Sequence, residues 1–376
     1  MKYNIYADNA ATTKMDEDIV NEMMILQKTF ANPSSIYTFG RISRNKMEEA
    51  REKIAELIGA HADEIFFTSG GTESDNWAIK GRAFCYYGQK KRIITTQIEH
   101  KAILRSCAFL ETMGYEVLYL PVDEKGILHP ETLELAINNE TILVSVMLAN
   151  NEIGSLEPIE VLADISHSYG VPFHTDAVQA VGHISISVQE LDIDMLSASG
   201  HKFNGPKGIG FLYVRQGTEI LSYHHGGSQE ANMRGGTENV ASIVAMAAAL
   251  QRNCAEMEKN SKHLRQLEKI IQHKLDSAGI DYIRNGCVPQ IPGNISLSFR
   301  NVDGEKIMHR LDLRGICVST GSSCNSKEAE ISHVLQAIRL PEDYAHGTIR
   351  ISLGKDNTVE EVEIIVDELL RIVDRK

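Results

Sequence analysis

Between residues 64 and 214, short apolar runs alternate with segments of helical periodicity, and this alternation limits the fold more than any other feature of the chain. The apolar runs have strand length and occupy residues 64–68, 92–96, 115–120, 141–148, 171–174, 195–199 and 209–214. Between several of them, apolar residues recur at helical spacing, for example over residues 159–169. Such alternation is typical of a mostly parallel sheet covered by helices. We therefore predict an α/β architecture.

The sequence pattern changes after about residue 250. A long helix is predicted there, strands follow at 294–299 and 316–319, and the last helix begins with a capping box formed by Thr358 and Glu361. The apolar stripes of these two helices consist of Leu264, Leu267, Ile271 and Leu275, and of Val362, Ile365, Val366, Leu369 and Val373. We predict a large α/β domain over residues 14–255 and a small α+β domain built from residues 1–13 and 256–376.

The composition is that of a globular protein with an acidic balance. Of the 376 residues, 43% are hydrophobic and 24% charged, and the formal net charge is -13 at pH 7. This negative charge argues against nucleic acid or an anionic membrane as a non-specific partner. No apolar stretch reaches the length of a membrane span, and the first residues lack the apolar core of a signal peptide. We therefore predict a cytoplasmic protein with no direct nucleic-acid or membrane partner.

The segment SASGHKFNGPKGIG at residues 197–210 follows an apolar run and places Lys202 on a turn just beyond a strand end. Ligands bind at this position in open α/β sheets. A lysine in such a turn can form a Schiff base if its surroundings help it to lose a proton. The alternative is a solvated lysine in a surface loop, and only other residues of the chain can decide between the two.

Ser69-Gly70-Gly71-Thr72 is a glycine-rich turn that leads from a strand into a helix. Thr72 and Asp75 fit the pattern of a helix start. Free N–H groups and the positive helix end favour a phosphate, and Glu73 makes a single phosphate monoester a better ligand than a triphosphate. An ordinary strand-to-helix turn is the alternative.

Asp176, Gln179 and His100 follow two other predicted strands. An aspartate that pairs with a pyridinium nitrogen, together with a lysine Schiff base, is the pattern of a pyridoxal 5'-phosphate site. Gln179 could then reach another ring substituent, and His100 could stack on the ring or transfer protons. The alternatives are a helix cap for Asp176 and an ordinary loop histidine. The side chains of the adjacent histidines at residues 224 and 225 point in different directions, so we predict no metal site.

Three further polar positions are candidates for binding. Asn151 lies in the NNEIG segment after the strand at 141–148, and residues 234–237 form a second small loop suited to a phosphate. Arg350 interrupts an apolar run and needs a partner, for which a substrate carboxylate and a structural salt bridge are equal candidates.

The cysteines show neither a C-x-x-C pair nor the density of a disulfide-rich protein. Cys324 lies in a loop of Ser, Gly and Asn, where exposed and nucleophilic thiolates occur. Cys317 lies in an apolar run, and we predict that it is buried and inert. The same prediction applies to Cys85, Cys107, Cys254 and Cys287.

Taken together, these motifs resemble those of the cysteine desulfurases of the NifS/IscS type. These are class-V aminotransferases, pyridoxal-phosphate enzymes of fold type I, the aspartate-aminotransferase-like fold. The resemblance covers residues 6–352 in the order of the family and rests on YADNAATT (6–13), NPSS (32–35), TSGGTES (68–74), EH (99–100), NNEIG (150–154), HTDAVQ (174–179), SASGHKFNGPKG (197–208), RGGT (234–237), TGSSC (320–324) and RIS (350–352). It implies a large domain with a mostly parallel, seven-stranded sheet.

For the cofactor, the resemblance implies a Schiff base at Lys202, a ring-nitrogen contact from Asp176 and a stacking contact from His100. Gln179 would contact the phenolic oxygen. The phosphate would be held by Gly71, Thr72, Ser199 and His201, with Thr237 of the partner subunit. The last of these contacts implies a homodimer with shared active sites.

For the reaction, the resemblance implies conversion of L-cysteine to L-alanine. Asn151 and Arg350 would fix the substrate carboxylate, with Asn151 also near the cofactor, while Lys202 and His100 move protons. Cys324 would take the sulfur as a persulfide and pass it to an iron–sulfur scaffold or to a thiolation enzyme for tRNA or a cofactor. The chain ends at residue 376 without the longer tail of family members that feed such a scaffold, which leaves the acceptor open.

Three alternatives remain at this stage. A selenocysteine lyase would use the same cofactor site, and a plain aminotransferase would share the fold without needing the Cys324 loop. A non-catalytic member would be expected to have lost Lys202 or Cys324, and both are present.

Overall fold

The structure is a computed structural model that describes residues 2–89, 91–320 and 331–373. Its strands are β1 (Ile5–Tyr6), β2 (Ile65–Thr68), β3 (Arg92–Thr96), β4 (Glu116–Leu120), β5 (Thr141–Ser145), β6 (Phe173–Asp176), β7 (Met195–Ser199), β8 (Gly210–Val214), β9 (Tyr282–Asn285), β10 (Asn294–Phe299), β11 (Ile316–Cys317), β12 (Ser319–Thr320) and β13 (Thr348–Ser352). Its α-helices are α1 (Glu17–Leu26), α2 (Thr38–Ile58), α3 (Gly71–Cys85), α4 (Lys101–Thr112), α5 (Pro130–Ala136), α6 (Ile159–Ser168), α7 (Val240–Ser277), α8 (Gly304–Asp312), α9 (His333–Ala337), α10 (Glu342–Ala345) and α11 (Val359–Val373).

The main sheet has seven strands in the order β2-β8-β7-β6-β5-β3-β4. Strand β8 pairs antiparallel with β2 and β7, and the other pairs are parallel. Each of the predicted apolar runs between residues 64 and 214 forms one of these strands. The predicted α/β class and the mostly parallel, seven-stranded sheet are therefore confirmed.

Both faces of this sheet are buried, which explains why its strands read as continuous apolar runs. Successive residues of β3 and β5 enter different cores, because side chains alternate between the faces of a strand. Ile93 and Leu143 pack with Trp77 of α3, whereas Ile94 and Val144 pack in the larger core on the other face. Helices therefore cover the sheet on both sides.

A second sheet, with the order β12-β13-β10-β9, is antiparallel, and β1 forms a separate parallel pair with β11. The predicted stripes of α7 and α11 are buried in the core of this region. The predicted single strand at 316–319 is wrong, because β11 and β12 join different sheets on either side of Val318. The capping box is present, since Thr358 Oγ1 accepts from the Glu361 amide at 3.2 Å and a Glu361 carboxylate oxygen accepts from the Thr358 amide at 3.1 Å.

Helix α7 connects the two cores. Its first turns place Ile243, Met246 and Leu250 in the main core, and its later turns place Leu264 and Leu267 in the second core. The helix passes without interruption through residue 255, where we predicted the domain boundary. The division into residues 14–255 and residues 1–13 with 256–376 stays a prediction.

The candidate site lies at one edge of the main sheet. Strands β3, β6 and β7 are parallel to one another, so their carboxyl ends meet at this edge. There β6 ends at Asp176, β7 ends at Ser199 and β3 is followed by His100. Among the described helices, none combines the length and the apolar character needed to span a membrane.

Candidate active site

A cavity of about 540 Å³ lies at the carboxyl ends of these strands. Most of the residues predicted for the site line it, namely Gly71, Thr72, His100, Asn151, Asp176, Gln179, Ser199, His201, Lys202 and Arg350. The cavity also has walls that the sequence analysis did not assign to the site: residues 10–12, Asp75, Met147 and Val178. Tertiary structure thus brings together most of the motifs that are scattered over the chain.

Lys202 ends a short 3₁₀ turn, 200–202, that directly follows β7. Its side chain is partly buried, and its Nζ donates to the carbonyl oxygens of Ala10 and Ala11 at 2.6 and 2.9 Å. Burial, and to a smaller extent the nearby Arg350 guanidinium, lower the pKa of Lys202 to about 8, while Asp176 and Asp8 oppose the shift. The amine is therefore neutral in a substantial fraction of molecules near neutral pH, as a nucleophilic lysine requires.

Asp176 is 4% exposed and accepts from the Val178 amide at 2.9 Å. Burial raises the pKa of Asp176, whereas His100 and Lys202 stabilise its charged form. His100 caps helix α4, because its Nδ1 accepts from the Ala102 amide at 3.2 Å. His100 is exposed within the cavity, and partial desolvation by the surrounding protein lowers its pKa, so the imidazole is mainly neutral and can exchange protons near pH 7.

The turn before α3 forms a cradle that a phosphate fits. Gly70 adopts a φ of 144°, which L residues rarely take, and a Cβ added to Gly71 would lie 2.6 Å from Val178 Cγ2. Glycine is needed at both positions for the backbone to approach the cavity. The first N–H groups of α3 have no partner within the helix and are available to an anion.

The prediction that Thr72 caps this helix is wrong. Helix α3 begins at Gly71 with Gly70 at the cap position, because the unusual φ of Gly70 turns the chain into the helix before Thr72. Asp75, the expected fourth residue of the capping pattern, is instead buried against the cavity.

The segment at residues 10–12 closes the cavity over Lys202. Gln179 Nε2 donates to the Ala10 carbonyl at 3.0 Å, and His201 Nδ1 lies 3.1 Å from Thr12 Oγ1. Burial lowers the pKa of His201 to about 4, so this imidazole is neutral and its other nitrogen can serve as an uncharged hydrogen-bond donor. These contacts hold residues 10–12, which belong to the YADNAATT motif, over Lys202.

Arg350 is 8% exposed and already has partners within the chain. Its Nη2 lies 2.7 Å from Asp8 Oδ1, and its Nη1 donates to the Asn151 carbonyl at 2.9 Å. Its Nε is buried and has no hydrogen-bond partner among the residues that the structure describes. The structural salt bridge considered above is therefore present, and Arg350 also lines the cavity.

One predicted site residue, Thr237, lies outside this cavity. Thr237 is exposed and does not line the cavity of its own chain. The loop that carries Thr237 is tied to the cradle helix, since Arg234 Nε contacts Glu73 Oε1 at 2.8 Å. Cys324 lies outside the described residues. Cys317, predicted to be buried, is exposed, because side chains alternate along β11 and Ile316 takes the buried position.

Asp75, His100 and Asp176 bring one ring nitrogen or carboxylate oxygen each within 4.8 Å of one another. This is also a spacing suited to a cation, and it is the one such group in the described parts of the chain. Metal ligands must be deprotonated. Burial raises the pKa values of both carboxyl groups, which disfavours their charged forms. The absence of a metal site stays a prediction.

The residues of this cavity fit pyridoxal 5'-phosphate. The Gly70–Gly71 cradle suits its phosphate, and the Lys202 amine suits its aldehyde. The buried Asp176 carboxyl forms no salt bridge among the described residues, and a protonated ring nitrogen would provide a direct partner. Asp75 Oδ1 is likewise buried without a hydrogen-bond partner among the described residues.

A second cleft of about 570 Å³ lies between the N-terminal segment, α7 and residues 353–357. Its charged groups are paired with one another. Lys355 contacts Asp16 at 2.7 Å, and Arg252 contacts Asp18 at 2.7 Å. It has no counterpart of the Lys202–Asp176 arrangement, and the first cavity is therefore the candidate active site.

Comparisons with known proteins agree with this geometry. A family model described as aminotransferase class-V matches residues 5–365. A protein of Dictyoglomus turgidum named cysteine desulfurase IscS is 50% identical over 100% of this chain and 96% of its own length. Among solved structures, a NifS-like protein has a TM-score of 0.93 and 38% identity over 99% of this chain and 100% of its own. SspA in complex with cysteine has a TM-score of 0.84 and 36% identity over 94% of this chain and 100% of its own. The chain belongs to the class-V aminotransferase family and, within it, to the cysteine desulfurases of the NifS/IscS type.

Proposed function

We propose that this protein converts L-cysteine to L-alanine and transfers the sulfur to Cys324 as a persulfide. The observation that carries the proposal is the partly buried Lys202 amine, with a pKa of about 8, in one cavity with the buried carboxyl of Asp176. This pair suits pyridoxal phosphate chemistry. The family to which the chain belongs supports cysteine as the substrate.

Pyridoxal phosphate would be held by residues that approach the cavity from several elements. Lys202 would bind it covalently, Asp176 would face its ring nitrogen, His100 would cover the ring and Gln179 would contact the phenolic oxygen. Gly71, Thr72, Ser199 and His201 would bind the phosphate, Asn151 would lie beside the ring, and Thr237 would come from the other subunit of a homodimer. When bound, the cofactor withdraws electrons from the substrate Cα.

Lys202 would move the proton at the substrate Cα. Its lowered pKa would allow the free amine to accept this proton near neutral pH. Arg350 and Asn151 both line the cavity and together would hold the substrate carboxylate. Asp8 keeps the guanidinium in place during this step.

Cys324 would attack the substrate sulfur as a thiolate. The new S–S bond forms as the bond between the substrate Cβ and its sulfur breaks, and the electron pair of that bond stays on carbon. Protonation of this carbon completes alanine, and the sulfur remains on Cys324 as a persulfide. His100, whose pKa is lowered by loss of water contact, would take the proton of the substrate thiol.

The sulfur would then pass to an acceptor protein, either an iron–sulfur scaffold or a thiolation enzyme for tRNA or a cofactor. We further propose that the protein acts in the cytoplasm as a homodimer. The net charge of -13 and the lack of a membrane-spanning helix in the described part support the absence of nucleic-acid and membrane partners.

The test begins with the purified protein and its near-visible absorption. Cysteine is then added with a reductant, and alanine and sulfide are measured. We expect a yellow protein that forms both products in equal amounts. Cys324→Ala should stay yellow and lose sulfide formation, while the control Cys317→Ala, which removes an exposed cysteine of the same chain, should keep it.

Other results would point to the alternatives. Sulfide formation that survives Cys324→Ala would contradict transfer to this residue, and transamination without sulfide would indicate an aminotransferase. Activity with selenocysteine alone would indicate a selenocysteine lyase. A colourless protein that added pyridoxal phosphate does not turn yellow would overturn the assignment of Lys202.

A further inference from the structure

Asp75 is a buried carboxyl group beside the candidate site that the proposed reaction does not use. It lies in the second turn of α3, is 1% exposed and lines the cavity. Its Oδ1 has no hydrogen-bond partner among the described residues. It also lies within the 4.8 Å group that contains Asp176 and His100. Asp75 is therefore a second buried carboxyl group next to Asp176, the proposed partner of the cofactor ring nitrogen. Its presence there needs a physical explanation.

A row of buried polar side chains runs across the sheet to Asp75. Ser145 on β5 and His174 on β6 are register partners, and Ser145 Oγ lies 2.9 Å from His174 Nδ1. His174 Nε2 lies 3.0 Å from Ser197 Oγ on β7, and Ser197 in turn hydrogen-bonds Asp75. Ser145, His174 and Ser197 are fully buried, so the row exchanges no hydrogen bonds with solvent.

The protons of this row can be assigned. Burial lowers the pKa of His174 to about 3, so the imidazole is neutral and carries one N–H. Ser145 can donate to Nδ1, Nε2–H can donate to Ser197, and the Ser197 hydroxyl can donate to Asp75. Every donor of the row then has one acceptor, and a proton on Asp75 would lie on Oδ1, the oxygen that has no hydrogen-bond partner among the described residues.

The charges around Asp75 favour that proton. Burial raises the pKa of Asp75 well above its usual range, and the carboxyl groups of Asp176 and Glu99 raise it further. Asp176 has compensating neighbours in His100 and Lys202. Two carboxyl groups this close in a low-dielectric site do not both ionise, and Asp176, whose charged form the Lys202 amine stabilises, keeps the charge.

We propose that Asp75 is a positioning residue for Asp176: a buried carboxylic acid that keeps its own proton, so that Asp176 is the carboxylate that faces the cofactor ring nitrogen. Asp75 acts through Asp176 and takes no part in the bond changes. This inference rests on the proposed cofactor and goes beyond the proposed function by adding a residue outside its binding set.

The test uses the full-length protein, prepared without cofactor and titrated with pyridoxal phosphate. Two readouts are recorded: the dissociation constant and the pH at which the near-visible band of the loaded protein changes. Asp75→Val removes the carboxylic acid and with it the O–H hydrogen-bond donor. Asp75→Asn keeps a neutral hydrogen-bond donor in a side chain of the same shape. Asp176→Asn shows the effect of losing the carboxylate itself.

We expect Asp75→Val to weaken cofactor binding about tenfold and to move the pH midpoint by about one unit, which equals a change of one unit in the pKa of Asp176. The midpoint should move in the same direction as in Asp176→Asn. Asp75→Asn should restore both values to within about twofold and about 0.3 units, because a neutral amide replaces a neutral acid. A purely structural role of Asp75 would leave the midpoint unchanged in all its variants.

Two results would overturn the proposal. If Asp75→Asn moves the midpoint as far as Asp75→Val, the charge of Asp75 is needed; if neither moves it, Asp75 does not act on Asp176. Thr175→Val is the matched control, since Thr175 is fully buried on β6 and its hydroxyl has no partner among the described residues. Asp75→Ala carries the comparison if Asp75→Val does not fold. Failure of the wild type to bind pyridoxal phosphate would contradict the proposed function instead.

Discussion

Single positions in this protein owe their chemistry to what tertiary structure places around them. Lys202 is one of many lysines in the sequence, but its Nζ lies under two carbonyl groups of the N-terminal segment and beside Arg350. These neighbours and the loss of water lower its pKa to about 8. Gly71 is a similar case, because its missing side chain leaves room for Val178 at the start of α3. Substitutions at this glycine should therefore act through a steric clash.

Gly71→Ala should weaken cofactor binding. The added Cβ would lie 2.6 Å from Val178 Cγ2, so either the cradle or Val178 must shift. We expect a loss of about tenfold or more in affinity for pyridoxal phosphate, since overpacking in a tight site costs about 1–3 kcal/mol. The measurement is a fluorescence titration of the protein prepared without cofactor.

The double variant Gly71→Ala with Val178→Ala is the matched test of this steric argument. Removal of the Val178 methyl groups makes room for the new Cβ, and most of the affinity should return. If the double variant binds no better than Gly71→Ala alone, the clash is not the cause.

At the scale of secondary-structure elements, polar contacts at helix and strand ends hold the site in place. The C-terminal turn of α6 is joined to the segment before β7 by His167. Its Nδ1 lies 2.9 Å from Asp192 Oδ2, and its Nε2 lies 2.7 Å from Asp194 Oδ2. Asp194 Oδ2 also accepts from the Phe173 amide at 2.7 Å, at the start of β6. One imidazole therefore bridges the elements that lead into β6 and β7.

His167 should make the stability of the protein depend on pH. The hydrogen bond to Asp194 is the largest cause that raises its pKa, and the charge of Asp192 adds to it. Since the folded pKa lies above the unfolded value of about 6.5, the stabilisation is complete below that pH and is lost as pH rises through the folded pKa. We expect His167→Gln to lower the free energy of unfolding by about 1–2 kcal/mol at pH 6 and by less at pH 9.

Urea unfolding at several pH values measures this difference. His129→Gln is the control, because His129 forms an exposed pair with Asp123 at 3.3 Å and should contribute little at any pH. A destabilisation by His167→Gln that grows from pH 6 to pH 9 would contradict the assignment of a charged imidazole.

At the scale of the whole molecule, two cores share the long helix α7, and the cavity lies where residues 10–12 cover the edge of the main sheet. Thr237 is exposed and does not line the cavity of its own chain, although Arg234 ties its loop to the cradle helix. An exposed loop of this kind is available to a second copy. Large exposed apolar side chains lie between α1 and α2 and in the first turn of α2, including Phe30, Ile36 and Phe39, and they are compatible with an interface.

A composite active site predicts complementation between inactive variants. In a mixed dimer of Lys202→Ala and Thr237→Glu, one site combines an intact lysine with an intact Thr237 from the other chain. Co-refolding equal amounts should therefore recover about a quarter of the wild-type activity, since about half of the dimers are mixed and each has one complete site. The measurement is sulfide release from cysteine.

The matched control is a mixture of Lys202→Ala with Asp176→Asn. Both residues belong to the same chain's cavity, so no complete site forms and activity should stay at the level of the single variants. Recovery in the control, or none in the first mixture, would contradict a site shared between subunits.

Local sequence patterns were sufficient to predict the strands of the main sheet, the stripe of α7 and the capping box of α11, because these features depend on periodicity and on residues close together in the chain. Lys202, Asp176 and His100 were also identified from sequence, since each follows an apolar run at a strand end. The cap at Thr72, the burial of Cys317 and the single strand at 316–319 were predicted wrongly. In each case a feature outside the local pattern decided the outcome: the φ of Gly70, the alternation along β11, and the pairing of β11 and β12 with different sheets.

By itself, the sequence determined the fold class, the order of the strands along the chain and the types of residue available for chemistry. Only the tertiary structure decided that residues 10–12 cover Lys202, that Arg350 is held by Asp8, and that Asp75 lies beside Asp176. Such contacts join residues that are distant in the chain. These contacts depend on the order of the strands within the sheet and on the packing of the helices. Both follow from the burial of whole faces of the sheet and helices, and not from any local motif.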